Sequence, residues 1–244
     1  MLKFAPYSYS KISTYKSCPL KFKYQYIDRI GKFESTPALV KGRTVHYLIE
    51  NTGLSEENYS DEIKQNIKEY PSVLDIVKNF KESELGIKYL KDIDKEPIQE
   101  FKLGLSKELK ASEYTKESLF NGIVDYICVK SGTLYICDLK TGKYRDNQYQ
   151  DYNQLLFYAI YFFEKYKIEK IVISFIYVEH NLENDLELNI KYLNNYKKEL
   201  LLNIKTIEED SEFCAKKSKL CDYCGFHVLC YPELLSYVEI NLLY

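Results

Sequence analysis

The chain of 244 residues has no apolar run long enough to cross a bilayer, and its opening, MLKFAPYSYS, has no apolar signal core. Both absences predict a soluble, cytoplasmic protein with no membrane partner. Glycine (9) and proline (6) are sparse. With 45% hydrophobic residues, 15% aromatics and 29% charged residues, that argues against wholesale disorder and provides for a packed core. Net charge is nearly absent too, since a formal −2 offers no global attraction to a polyanion. Its distribution is uneven, however. Residues 1–43 carry Lys3, Lys11, Lys16, Lys21, Lys23, Arg29, Lys32, Lys41 and Arg43 against Asp28 and Glu34, an excess of seven positive charges. Such a segment suits a phosphate backbone as well as it suits a solvated helix face.

Seven cysteines in a chain of this kind do not make a disulfide framework. Cys128 and Cys137 fall within strand-like runs and read as small buried hydrophobes. Cys221, Cys224 and Cys230 form C-x2-C-x5-C, which suits zinc or an iron–sulfur cluster and lacks a fourth ligand. His227, Cys214 and the distant Cys18 are all candidates for it.

The most informative stretch is Asn121 to Gly142, NGIVDYICVKSGTLYICDLKTG. Two apolar, β-branched runs meet at Ser131-Gly132, which predicts a tight hairpin. A two-residue loop there sets Asp125 directly opposite Asp138. Facing carboxylates lie ~4.5–5.5 Å apart at Cβ, close enough to share one cation and mutually repulsive without it. Alternation brings Lys140 to the same face. Ile123, Ile127, Val129, Leu134 and Ile136 are expected on the acidic face, with Val124, Tyr126, Tyr135, Cys137 and Leu139 on the other. Both faces are apolar, so the hairpin is buried on both sides, where a carboxylate pair is costly without a cation.

Around this hairpin the expected order is helical, then mixed. A first helix is capped by Ser8 or Ser10 and ends near Pro19; a second carries Phe22, Tyr26 and Ile30 and stops before Gly31. Leu39 to Glu50 is helical, with His46 and Glu50 on one face. Residues 51–96 form a helix-prone insertion that reads as a lid or a spacer. Ile98 to Lys110 alternates as a strand, in which Glu100 is a candidate extra acid. A polar link over Lys143–Tyr149 precedes a long helix from Tyr149 to Tyr166, where Gln154 and Tyr158 project together and could hold a phosphate or a base. Lys170–Val178 is a buried strand, and residues 181–210 are acidic, then helical. The fold class is α/β, with a mixed central sheet flanked by helices. The expected divisions are 1–50, 51–96, 97–180 and 181–244.

These pieces together resemble the RecB-like branch of the PD-(D/E)xK nucleases, and within it the iron–sulfur exonucleases of CRISPR adaptation and of AddB-type recombination subunits. The resemblance rests on Ser8, Ser10, Ile12, Tyr15, Cys18 and Pro19; on Gly42 to His46; on Gly122 to Asp125; on Asp138 to Gly142; on Gln154 to Tyr158; and on the terminal cysteines. Residues 51–96 match least, and Val124 stands where the family name has proline. The resemblance implies a restriction-endonuclease-like core with an iron–sulfur subdomain joining the two ends of the chain. It implies that Cys18, Cys221, Cys224 and Cys230 hold a [4Fe–4S] cluster. His46, Asp125, Asp138 and the Leu139 carbonyl would bind Mg²⁺ or Mn²⁺, with Lys140, Gln154 and Tyr158 completing a catalytic site. The implied activity is exonucleolytic hydrolysis of single-stranded DNA or DNA ends, in repair or CRISPR adaptation, beside a helicase or CRISPR-adaptation protein. Tyrosines of the basic N-terminal segment would stack on unpaired bases. The alternative is a non-catalytic nucleic-acid-binding or scaffolding subunit with a four-cysteine zinc or iron–sulfur site.

Overall fold

The structure, a computed structural model, describes residues 2–30, 36–168 and 170–230. The expected helix stop at Gly31, the charges of Lys32 and Glu34, and residues 231–244 of the C-terminal division lie outside the described residues. The chain divides into two compact units, residues 35–198 and residues 1–34 with 199–244.

In the first unit, α3 (Pro37–Glu50) starts at an N-cap where the Thr36 side chain accepts from the Leu39 N–H. It follows α1 (Tyr9–Ser17) and α2 (Pro19–Phe22) of the other unit in chain order. Next come α4 (Asp61–Glu69), α5 (Ser72–Glu82) and α6 (Glu84–Leu90). The strands are β1 (Ile98–Leu105), β2 (Ala111–Ser112), β3 (Phe120–Lys130) and β4 (Thr133–Lys140). After them come α7 (Asn153–Tyr166), β5 (Ile171–Tyr177) and β6 (Leu182–Glu187), then α8 (Ile190–Glu209). The six strands form one mixed sheet, ordered β2-β1-β3-β4-β5-β6, with only the β4–β5 pair parallel. A helix-flanked mixed sheet of this kind matches the expected α/β class.

The hairpin register is as expected: Tyr126 pairs with Cys137 and Lys130 with Thr133 across Ser131 and Gly132. Both loop residues have positive φ, +49° and +72°, the backbone a tight hairpin turn of matching twist requires. Helices cover both faces. On one, α3, α5 and α6 bury Val45, Leu48, Val73, Val77 and Phe80 against Tyr126, Cys128, Cys137 and Leu139. The insertion is thus a wall of the core and neither a lid nor a spacer. Its apolar residues recur at helical spacing because the sheet needs a second cover. Cys128 and Cys137 are buried there as small hydrophobes.

The strict two-face alternation expected of β3 fails at Asp125. Val124 pairs with Phe101, whose ring packs on Tyr161 and Phe162 of α7 at 5.6 and 5.5 Å. Tyr126, two residues on, belongs to the opposite core. The switch coincides with Glu100, a non-glycine residue at φ +48°, at the one step where the β1–β3 ladder skips a pair. Left-handed backbone at such a residue is strained and tends to mark functional ground.

Other boundaries move as well. The helix expected from Tyr149 begins at Asn153, because Asn147–Tyr149 closes a separate 3-10 turn capped by Asp146. The acidic stretch after residue 181 opens with β6, hidden in the sequence by its carboxylates. Lys88 Nζ meets Glu183 at 2.7 Å, the Tyr89 hydroxyl donates to the same carboxylate at 2.7 Å, and both lie about 95 positions upstream.

The second unit begins with α1, where Ser8 caps by accepting from the Lys11 N–H at 3.2 Å. Cys18 is extended because the following Pro19 excludes the helical region for its neighbour. Helix α2 runs into a π-helical turn, Lys23–Ile27, and ends well short of Ile30, since Arg29 at φ +54° turns the chain. An aromatic cluster of Phe4, Tyr15, Phe22, Tyr26 and Phe213 forms the core, with Phe22 stacked on Phe213 at 6.0 Å. Tyr7 donates to Glu208 and Tyr15 to Asp210, both at 2.7 Å. The tyrosines expected to stack on bases are therefore largely taken up in packing. So are several cations, among them Lys16 on Glu199 and Lys23 on Asp28.

Candidate active site

The first unit brings His46, Asp125, Asp138, Lys140, Gln154 and Tyr158 together from α3, β3, β4 and α7. Helix α3 approaches the end of β4 closely at Gly42, where an added Cβ would sit 3.0 Å from Thr141 Oγ1. That glycine lets the next turn present His46, whose Nδ1 lies 3.7 Å from Asp125 Oδ2. One residue serves both groups: the Leu139 N–H donates to Asp125 Oδ2 at 3.0 Å, and the imidazole donates to the Leu139 carbonyl. Asp125 lies one step beyond the last β3–β4 ladder pair, level with Asp138.

Asp138 is 3% exposed. Lys140 Nζ stands 2.5 Å from its Oδ2, outside hydrogen-bond geometry, so that oxygen accepts no hydrogen bond. A buried carboxylate is costly unless a cation compensates it, and here the Lys140 ammonium is that cation. The Lys140 ammonium also sits 5.1 Å from the Phe175 ring centroid, which fixes its direction. From α7, the Gln154 amide donates to the Tyr158 hydroxyl at 3.1 Å. Gly122 is required beside them, because a Cβ there would come within 2.6 Å of the Tyr158 ring and 2.8 Å of Phe157.

The electrostatics follow from burial and from like charge. Burial, and then Asp138, push the Asp125 carboxyl well above the usual range. Burial pulls His46 down, which keeps the ring neutral and able to act as a ligand. Burial likewise raises Tyr158, so the phenol stays protonated as a donor. Two further acids take part: Glu100, the candidate extra acid of the sequence, and Glu50. Glu50, four residues after His46, is pushed up to about 7 by burial and by Glu100, and its Oε1 is buried without a hydrogen bond. Glu100 also acts on Asp125, His46 and Tyr158 through its charge. The i, i+4 spacing from His46 is the signal for Glu50, and the place of Glu100 in the strand that feeds the hairpin is the signal for Glu100.

Among the described residues, no three His, Cys, Asp or Glu side chains stand in an arrangement that could hold a metal ion. In the active-site cluster, Lys140 and the Leu139 peptide take up the carboxylates instead. The donor chemistry nevertheless fits a hard or borderline divalent cation, with one neutral imidazole, two carboxylates and a carbonyl. Asp138 Oδ2, ion-paired with Lys140 but accepting no hydrogen bond, is the atom such an ion would share.

In the second unit, Cys18, Cys221, Cys224 and Cys230 line one cavity of about 220 Å³, together with Lys21, Tyr24 and His227. Burial and the other three sulfurs push the Cys230 thiol up. The Lys216 N–H donates to Cys18 Sγ at 3.4 Å and the Ser218 N–H to Cys221 Sγ at 3.3 Å. Cys214 is exposed, contacts Glu212, and does not line the cavity.

A mixed sheet carrying an acid–acid–lysine hairpin end defines a class of α/β proteins rather than a single activity. The chain matches the PD-(D/E)XK nuclease superfamily over residues 6–231, and it belongs to that superfamily. No curated protein matches it. Among solved structures, one described as "Crystal structure of SSO0001" is similar at 17% identity and a TM-score of 0.36, over 88% of this chain and 94% of that one.

Proposed function

We propose that this chain is a divalent-cation-dependent deoxyribonuclease of the RecB-like branch, an exonuclease acting on single-stranded DNA or DNA ends. The observation that carries the reading is the buried Asp138 carboxylate, with an oxygen that accepts no hydrogen bond, beside Asp125, Lys140 and His46 in a chain of a nuclease superfamily. A binding subunit would gain nothing from that costly arrangement. No helix of the described residues is long and apolar enough to cross a membrane, and DNA is the substrate the superfamily implies.

Asp125, Asp138, His46 and the Leu139 carbonyl would hold Mg²⁺ or Mn²⁺. Once bound, the cation polarises a phosphoryl oxygen and lowers the pKa of a water. Lys140 orients that water and faces the charge that gathers on phosphorus. Tyr158 and Gln154, already hydrogen-bonded to each other, donate to the phosphate of the scissile strand and set it in line.

The cysteine cavity is the proposed seat of a [4Fe–4S] cluster. Its volume of about 220 Å³ leaves room for a multi-atom group. Four sulfurs that line one cavity fit cluster iron, and the two N–H···S contacts suit its sulfurs. Repair or CRISPR adaptation, with a helicase or adaptation protein as partner, is the setting we infer from the same resemblance.

The test is anaerobic purification, quantification of iron and sulfide, then cleavage of end-labelled single-stranded DNA with Mn²⁺ or EDTA. Cation-dependent trimming that disappears in Asp138→Ala and Lys140→Ala supports the reading. Full activity in either variant removes it, and a zinc-loaded, colourless protein removes the cluster.

A further inference from the structure

The segment from Thr141 to Tyr152 links the two halves of the candidate active site, running from Lys140 at the end of β4 to Gln154 in the first turn of α7. Its backbone is held firmly for an exposed connection. The Tyr144 ring packs on Tyr177 at 5.0 Å, and its hydroxyl donates to Asn184 at 2.9 Å. The Asn184 amide donates to the Arg145 carbonyl at 2.7 Å, and the Tyr177 hydroxyl to Gln150 Oε1 at 2.6 Å. The acids of the segment are spent on its own turns, Asp146 on the Gln148 N–H and Asp151 on the Asn153 N–H.

What remains outward is one large ring and two cations. Tyr149 is 74% exposed and its side chain has no partner among the described residues, although its backbone is tied into the 3-10 turn. Lys143 and Arg145 are exposed, and neither side chain makes an ion pair among the described residues. An aromatic ring on a fixed turn, beside unpaired cations, is the composition that binds unpaired strands: bases stack on the ring and phosphates meet the charges. Tyr149 and Gln154 are five positions apart, so their Cα atoms lie within about 18 Å, a few nucleotides along an extended strand.

We propose that this segment is the substrate-strand clamp of the enzyme, with Tyr149 stacking on an unpaired base and Arg145 and Lys143 engaging the phosphates beside it. The assignment rests on the nuclease reading for its substrate. It moves base stacking away from the N-terminal tyrosines, which are committed to packing.

Equilibrium binding of a fluorescein-labelled oligodeoxythymidine to the full chain in EDTA tests it without cleavage. Tyr149→Ala should weaken binding about tenfold or more while leaving the dependence on salt unchanged. Tyr149→Phe should bind as the parent does. Lys143→Ala and Arg145→Ala should each reduce the slope of log affinity against log salt by about 0.7. Equal losses in Tyr149→Phe and Tyr149→Ala, parental binding by Tyr149→Ala, or no binding of the oligonucleotide by the parent would each overturn the clamp. The two readings separate cleanly. A protein that shows the Tyr149 pattern yet cuts nothing with Mn²⁺ loses the nuclease reading alone. One that cuts while Tyr149→Ala binds normally loses only the clamp.

Discussion

The two units hold their chemically notable side chains in opposite ways. In residues 35–198 the candidate site sits at the end of a six-stranded sheet covered by helices on both faces, and its groups are tied to one another: His46 and Asp125 through the backbone of Leu139, Lys140 to Asp138, Gln154 to Tyr158. The fold itself imposes the geometry. The cysteine cavity of the other unit is lined by short pieces, a 3-10 turn at Cys221–Tyr223 and the four-residue α9 (His227–Cys230). Cys18 is tied into the junction of α1 and α2, but Cys221, Cys224 and Cys230 rest on few backbone hydrogen bonds, so a bound group would add rigidity there. One region is preorganised by packing, and the other would be organised by the cluster proposed for it.

The contrast is broken most forcefully at the hairpin end. Asp138→Asn and Lys140→Ala should each lower the rate of Mn²⁺-dependent cleavage by ~10²–10³ or more, measured on end-labelled single strands. Asp138→Asn should lower the thermal midpoint only slightly in EDTA, because the Lys140 ammonium it leaves without its ion pair is partly exposed to water. A large loss of stability there would show the site to be structural. Cys221→Ser is the converse case. Iron should be lost, and limited proteolysis should open residues 199–230 while the sheet unit stays resistant. Equal protease sensitivity of both units would contradict the division of labour.

Smaller effects sharpen the picture of the sheet unit. Gly122→Ala forces a methyl group into the Tyr158 and Phe157 rings and should cost about 1–3 kcal/mol in chemical denaturation, with a parallel fall in cleavage. The smallest effect concerns Glu50, pushed up to about 7 by burial and Glu100. A carboxyl raised in the folded state holds its proton where the unfolded chain has released it, so its contribution favours folding below about pH 4.5 and declines as pH rises to about 7. Glu50→Gln should therefore melt like the parent at pH 4.5 and a few degrees higher at pH 8, in EDTA. A midpoint difference that does not change with pH would remove the titration.

Much of the site was legible because it is local. Ser131-Gly132 sets the turn, the turn sets the register, and the register sets Asp125 level with Asp138 through pairings that involve neighbours only. Gly42, His46 and Glu50 share a helix, and Gln154 and Tyr158 share another, so spacing alone shows which project together. What eluded the reading depends on partners far along the chain. The strand β6 looked like an acidic linker because its carboxylates are answered by Lys88 and Tyr89. The insertion looked spare because its apolar residues meet a sheet face that lies elsewhere in the sequence. Tyr149 was assigned to a helix whose true start, four residues later, is set by the turn that Asp146 caps. The change of face at Glu100 and Asp125 has no sequence signature, since it is a backbone distortion shared by two strands.

The chain by itself determined its hairpin, its helix faces and the kinds of side chain available for catalysis, since turn chemistry and periodicity act over a few residues. Only the tertiary structure decided which acids share one electrostatic environment, which tyrosines are consumed in packing, and which ring is left free on the loop between Lys140 and Gln154. The physical reason is that burial and charge repulsion depend on what surrounds a group in space, and those neighbours come from four separate elements.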